Sequence, residues 1–330
     1  MTDGGAKPKV GRRKAETPSV KMRDFKNWIA KVADPFWKKT FEELQSLSPD
    51  YPHDVSQMPH NVKKNRYNKI YAFDRTRVKT PMNERDDTKN YINANYIDGF
   101  NHKHEYIATQ GPLKNTLNDF WRMVWEHDSK VIVMLSGIQE KQKQKVFRYW
   151  PRYVGDTMEY GKIAVKMTYA GQVNKYITRI FTMKKGQEER QVHVYFMPGW
   201  EEFDANMSTE TLIDVIKKIR IQINTSPQAP VIVHCSSGLG RTGTFIALDY
   251  LQQWVKTHGL DDEVSVSGFV LQMRHDRGGM VQTWLQYRLV HWTLNKMIQK
   301  KIAGEPATAD HVYRDTSIEP DQEDIKRKSY

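Results

Sequence analysis

Over its first 25 residues the chain carries almost nothing apolar. Lys7, Lys9, Arg12, Arg13 and Lys14 lie among Gly and Pro, a composition that predicts a flexible basic tail over 1–25. From Phe25 the pattern changes. Trp28, Ile29, Val32, Phe36, Trp37, Phe41 and Leu44 recur at helical spacing, and Asp34-Pro35 marks a break between two short helices. Apolar and alternating runs at 131–135, 163–167 and 192–196 predict strands, the first and last of them buried. Leu212, Val215, Ile216 and Ile219 fall on one face of a helix predicted over 211–223. The run 231–233 reads as a short central strand that feeds a glycine-rich turn, and 264–274 and 286–302 read as closing helices. After Gly304 the chain is polar and charged to its end, which predicts a second flexible tail over 303–330. No internal repeat interrupts this order. Helices, then mixed strands, then strand–loop–helix units predict one α/β domain over 26–302.

Composition narrows the function classes. Nine Trp, 16 Tyr and 12 Phe in 330 residues exclude wholesale disorder. The net charge of +12 favours an acidic or polyanionic partner: nucleic acid, an anionic membrane surface, or phosphorylated and acidic peptides. Charge sign alone does not separate these. No run approaches the ~18 apolar residues of a membrane span, and Met1-Thr2 offers neither a secretory apolar core nor a myristoylation glycine. The single cysteine excludes an internal disulfide and a Cys-rich metal site. A reducing, cytoplasmic setting is the expectation.

The chemistry concentrates in VIVHCSSGLGRTGTF at 231–245. A buried strand ends at His234 and Cys235 opens the turn. Ser236, Ser237, Gly238, Leu239 and Gly240 separate Cys235 from Arg241. A loop of this length can wrap its backbone N–H groups around a tetrahedral dianion. Gly238 and Gly240 permit close approach and unusual dihedrals. A helix starting near Arg241 aims its N-terminus into the same cradle, and Arg241 adds a planar, permanently charged fork. That positive potential stabilises a Cys235 thiolate, which beneath a bound phosphate is an in-line nucleophile. A lone cysteine is most often a small buried hydrophobe, but this one is followed six positions later by arginine within a glycine-rich helix start. The nucleotide-binding Gly-x-x-x-x-Gly-Lys-Ser/Thr pattern is absent.

HCSSGLGRTG resembles the signature loop of the phosphotyrosine-specific protein tyrosine phosphatases, here of the non-receptor type. The resemblance extends over roughly 25–300 through KNRY at 64–67, YINANYI at 91–97, YIATQGPLKNTLNDFW at 106–121, YWP at 149–151 and QTWLQY at 282–287. It implies a cysteine phosphatase fold, a twisted mixed sheet flanked by helices, and phosphotyrosine proteins as substrates. By resemblance, Cys235 is the nucleophile, Arg241 the phosphate clamp and Thr242 the hydroxyl that stabilises the departing thiolate. His234 orients the cysteine. Gln282 positions the attacking water, with Gln286 beside it or merely solvated at the surface. Tyr67 stacks on the substrate ring, Ser236 to Gly240 hold the phosphate, and Lys145 resembles the lysine that faces the acid loop. Asn93 is structural, Arg274 and Arg277 support the loop and the binding of a second anion, and Gly279 leaves the pocket mouth open. The remaining lysines near Lys145 read as a solvated hairpin. No metal or cofactor is implied, and nucleic acid is not expected as a partner.

Two departures from the family pattern stand out. Its Trp-Pro-Asp loop reads Trp200-Glu201-Glu202 here, followed by Phe203-Asp204. Glu202 falls at the acid position one methylene too long. Asp204, acting through an altered loop, is the alternative, and both carboxylates could be merely exposed. Lys69 stands where the family places an acceptor for substrate backbone. Lysine is donor-only, so acidic flanking residues are the expected preference. Two functions remain open: a phosphatase, slowed by its altered acid loop, and a pseudophosphatase that binds phosphotyrosine without turnover. A lipid or RNA phosphatase is disfavoured by Tyr67 and the full motif set. No SH2-like or FERM-like segment is recognisable.

Overall fold

The computed structural model describes residues 18–80, 90–173 and 176–304. The tail readings over 1–17 and 305–330 lie outside the described residues.

The apolar runs meet in a mixed sheet. Among the described residues it has nine strands, in the order Arg77–Lys79, Tyr91–Ile97, Tyr106–Thr109, Val231–His234, Val131–Met134, Glu188–Phe196, Tyr176–Lys185, Ile163–Val173 and Thr157–Tyr160. Val231–His234 runs parallel to both of its neighbours, and Val131–Met134 is also parallel to Glu188–Phe196. The remaining pairings are antiparallel. The parallel centre is covered on both faces, which explains why its strands read as continuous apolar runs rather than alternations. Val131, Val133, Val231 and Val233 face a core that includes helices Thr209–Ile223, Gly240–Thr257 and Trp284–Ile302. Ile132, Met134 and Ile232 face the opposite core, where Phe120, Trp121 and Val124 of helix Leu117–Glu126 pack.

The strands of the antiparallel wing are longer than their apolar patterns announce, Ile163–Val173 above all. The two helices expected around Asp34-Pro35 are Phe25–Ile29 and Asp34–Ser46, with Pro35 in the first turn of the second. There its missing N–H costs nothing. Residues 18–25, expected to belong to the tail, are built in instead. Val20–Lys21 pairs with Glu263–Val264, and Val20, Met22 and Phe25 are buried. Three apolar side chains in a polar stretch are too few to register as a pattern, but they suffice to seal the end of the helical core.

Side-chain caps set three helix starts. Ser208, Ser265 and Thr283 each accept a backbone N–H three residues on, from Thr211, Gly268 and Gln286. The last of these fixes Gln282 immediately ahead of a helix and Gln286 within its first turn.

Candidate active site

Strand Val231–His234 ends at the C-terminal edge of the parallel sheet, where the chain turns before helix Gly240–Thr257. In open α/β sheets this edge is where ligands bind. Cys235 lies at the base of the turn, 2% exposed. The Gly238 N–H donates to its Sγ at 3.3 Å. Burial pushes the thiol pKa up. Arg241, the Thr242 hydroxyl and the backbone N–H groups of Thr242 and Gly238 more than offset this, leaving it below the ordinary thiol value. The Thr242 hydroxyl is buried with no hydrogen-bond partner of its own, and its influence falls on the Cys235 thiol.

The turn is held rigid from behind. Gly238 has φ 73°, and a Cβ there would lie 2.3 Å from the Thr109 carbonyl oxygen, so only glycine fits. Arg277, fully buried, donates to the carbonyls of Gly238 (3.0 Å) and Ser237 (3.2 Å) and to the side-chain oxygens of Asn95 and Asn93, each at 2.8 Å. Arg274 donates to the carbonyls of Met280 and Val281 and to the Ser48 hydroxyl. Both arginines are thus buried and engaged with protein acceptors, which corrects the expectation that they bind a second anion. Leu239 buries its side chain in the core. The Gly111 N–H donates to the Ser236 carbonyl at 2.9 Å.

His234 is wholly buried. Its Nε2 lies 2.9 Å from the Tyr149 hydroxyl, and its Nδ1 3.2 Å from the Cys235 carbonyl. Burial lowers its pKa to about 4. The ring is therefore neutral near pH 7, donating from Nδ1 to the carbonyl and accepting from Tyr149.

Arg241, 2% exposed, donates through both terminal nitrogens to Glu140 (2.7 and 3.2 Å) and to the Trp200 carbonyl at 2.5 Å. Glu140 was not among the residues read from the sequence. The usable signal was the need of a buried arginine for an acid and one glutamate in an otherwise Lys/Gln hairpin. That hairpin pairs Gln139–Glu140 with Lys143–Gln144 around Lys141 and Gln142, both at positive φ. It is more than a solvated turn.

A cleft of about 370 Å³ opens above the cysteine loop, lined by Tyr67, Ile70, Lys143, Gln144, Lys145, Glu202, Phe203, Ser237 and Gln282. Tyr67 is fixed from both ends. Its hydroxyl lies 2.7 Å from the Ser236 hydroxyl, while the preceding Arg66 donates to the carbonyls of Gly111 and Pro112. Lys69, exposed at φ 68°, stands at the rim and does not line the cleft. Gln282 accepts from the Ser237 hydroxyl at 3.3 Å, and its N–H donates to the Gln286 side chain at 3.0 Å. Gln286 is 1% exposed, so the solvated alternative for it is excluded.

The two candidate acids part company. Glu202 lines the cleft and pairs with the Lys145 ammonium. Burial works against the Lys145 charge, but the Glu202 carboxylate prevails and raises its pKa. Asp204 turns back on its own loop, accepting the Ala205 N–H at 2.6 Å, and is not among the cleft-lining side chains. Phe203 between them has φ 66°, which reverses the chain. Asn206 braces this loop by donating to the Gly199 carbonyl and accepting the Glu201 N–H, and Thr283 donates to the Phe203 carbonyl at 3.2 Å.

Comparison with known proteins points the same way as the geometry. The model of the protein-tyrosine phosphatase family matches residues 61–296. Receptor-type tyrosine-protein phosphatase zeta of Rattus norvegicus is 38% identical over 297 residues, covering 86% of this chain and 13% of that protein. Tyrosine-protein phosphatase 69D of Drosophila melanogaster is 36% identical over 271 residues, 80% of this chain and 18% of that protein. Tyrosine-protein phosphatase non-receptor type 12 of Homo sapiens is 34% identical over 303 residues, 87% of this chain and 39% of that protein. The chain thus spans between 13% and 39% of the length of these relatives. With a buried cysteine at the centre of an N–H-lined turn and a family match across most of its length, the chain belongs to the protein-tyrosine phosphatase family.

Proposed function

We propose that this chain hydrolyses phosphotyrosine in proteins through a phosphocysteine intermediate, using no metal or other cofactor. The observation that carries the reading is the Cys235 thiol, buried in the turn whose Ser237 lines the cleft, with its pKa held down by Arg241, Thr242 and backbone N–H groups. A surface that only bound phosphotyrosine would gain nothing from a thiol tuned towards its nucleophilic form.

In the first step Cys235 Sγ attacks phosphorus in line. The S–P bond forms as the P–O bond to tyrosine breaks, and Glu202 delivers a proton to the leaving phenolate oxygen. Arg241, held by Glu140 and the Trp200 carbonyl, sets its guanidinium against the phosphoryl oxygens. In the second step Gln282 orients a water that attacks phosphorus. Glu202 takes the water's proton, the S–P bond breaks, and the Thr242 hydroxyl stabilises the returning thiolate. Neutral His234 keeps the Cys235 carbonyl, and with it the turn, in register.

The test is turnover of a phosphotyrosine peptide and of p-nitrophenyl phosphate by wild type, Cys235→Ser and Glu202→Gln. Cys235→Ser loses both activities. Glu202→Gln lowers kcat on the peptide by roughly 100-fold or more but spares much of the activity on p-nitrophenyl phosphate, whose leaving group needs little protonation. Peptide turnover untouched in Glu202→Gln would remove Glu202 as the acid. Wild type that binds the peptide without releasing phosphate would leave the binding-only function.

A further inference from the structure

Charge is distributed unevenly around the cleft. Near its base and acid loop the charges cancel locally: Glu140 with Arg241, Glu201 with Lys141 at 3.1 Å, and Glu202 with Lys145. Asp204 is folded onto its own backbone. Two ammonium groups are left over. Lys143 lines the cleft from the hairpin, and Lys69 stands exposed between the cleft-lining Tyr67 and Ile70. Neither has an acidic partner among the described residues. Their two carriers abut, since Arg66 donates to the Gln144 carbonyl at 3.4 Å. The rim there carries two positive charges, on abutting segments, with no acidic partner among the described residues. Lys69 is also held outward by its own backbone, because the left-handed conformation at φ 68° fixes the direction in which the stem leaves the loop.

We propose that the preferred substrates are phosphotyrosine segments carrying Asp or Glu within a few residues of the phosphotyrosine, with those carboxylates received by Lys69 and Lys143. This rests on the reading that the cleft takes phosphotyrosine. An extended segment advances about 3.3 Å per residue, so side chains adjacent to a phosphotyrosine seated over Cys235 pass across the rim. Both lysines are donors only. They give a neighbouring carboxylate a partner, and they give a neighbouring lysine or arginine only repulsion. Each contact lies at an exposed edge, so it adds up to about fivefold in affinity, and two together approach tenfold.

The experiment measures Kd by fluorescence anisotropy on the full chain carrying Cys235→Ser. Its ligands are three phosphotyrosine peptides identical except for acidic, neutral or basic flanks, and the acidic peptide without phosphate. Wild-type kcat/KM is read on the three phosphopeptides. The acidic phosphopeptide binds about tenfold more tightly than the neutral one. That ratio falls towards one with added Lys69→Gln and Lys143→Gln, and with rising ionic strength. Equal Kd for the three overturns the inference, as does an acidic advantage that the lysine variants retain. Equally tight binding of the peptide without phosphate also overturns it, since the rim would then be a general polyanion surface. The two readings separate cleanly. Acidic selectivity in binding without hydrolysis of any peptide sinks the hydrolytic function and keeps the rim's role. Hydrolysis of all three with equal kcat/KM does the reverse.

Discussion

Glu202 and Asp204 lie two positions apart, yet the backbone sends them to different places. Their residue types were legible in the sequence, and so was the position that an acid should occupy. What was not legible is the left-handed Phe203 that turns Asp204 onto the Ala205 N–H, whereas the approach of Lys145, 57 residues away, to the acid loop was implied by the family resemblance and by nothing in the local pattern. Local motifs name the chemistry, and tertiary contacts decide which copy of it faces the substrate. Glu140 went unread for the same reason, since its partner Arg241 is 101 residues distant. Arg277 shows how much can depend on one fork. Replacing it with lysine keeps the charge but cannot reach Gly238, Ser237, Asn93 and Asn95 together. Because buried acceptors would be left unmatched, at about 1–3 kcal/mol each, Arg277→Lys is expected to lower unfolding free energy by at least about 2 kcal/mol. Urea denaturation with an unchanged m-value would register it.

The acid loop and the hairpin around Lys141 behave as one unit, joined by Lys141–Glu201, Lys145–Glu202 and the Arg241 bond to the Trp200 carbonyl. Their joints are unequal. Lys141 and Glu201 are 83% and 53% exposed, whereas Lys145 and Glu202 are 11% and 21% exposed. Solvent screening leaves the first pair worth little. Glu201→Gln should therefore change kcat on a phosphotyrosine peptide by no more than about twofold. Lys145→Met, which frees Glu202 to wander, should lower it by an order of magnitude or more. Steady-state kinetics on the two variants decides it, and equal effects would break the link between burial and positioning. The same contrast in exposure explains which elements were readable. Val231–His234 and Val131–Met134, buried on both faces, announced themselves as apolar runs. Of the hairpin of Tyr176–Lys185 with Glu188–Phe196, only 192–196 was read, and the first strand was missed. The hairpin's outer end is polar and held by cross-strand register and pairs such as Lys184–Glu189, and periodicity carries no mark of these.

Over the whole molecule, buried histidines tie folding to pH. His234 and His291 both have pKa values pushed down to about 4 by burial, against an ordinary 6.5. Between those values the unfolded chain binds protons that the folded chain refuses, so stability falls as pH drops through that window. Asp276 acts in the opposite sense. Burial raises its pKa from 3.8 to about 6, so the folded state binds the extra proton and gains stability as pH falls through about 6. At about pH 5 each histidine has lost on the order of 2 kcal/mol and Asp276 has returned on the order of 1. The net expectation is a loss of about 3 kcal/mol between pH 7 and pH 5, measured by denaturant unfolding at both. His291→Gln should flatten the slope, and an unchanged slope would show that His291 takes no part. The domain itself was legible as one α/β unit because its motifs run in order along the chain. Its beginning was not, since the strand Val20–Lys21 depends on a partner at Glu263–Val264 and its own residues carry little pattern.

Cys235 is the only cysteine in the 330 residues, buried in the turn whose Ser237 lines the cleft. Alkylation of this chain is therefore a counting experiment. A haloacetamide that adds one mass increment to intact protein has marked the pocket and nothing else. The fraction left unlabelled in the presence of vanadate gives pocket occupancy directly, with no substrate, no turnover and no engineered reporter.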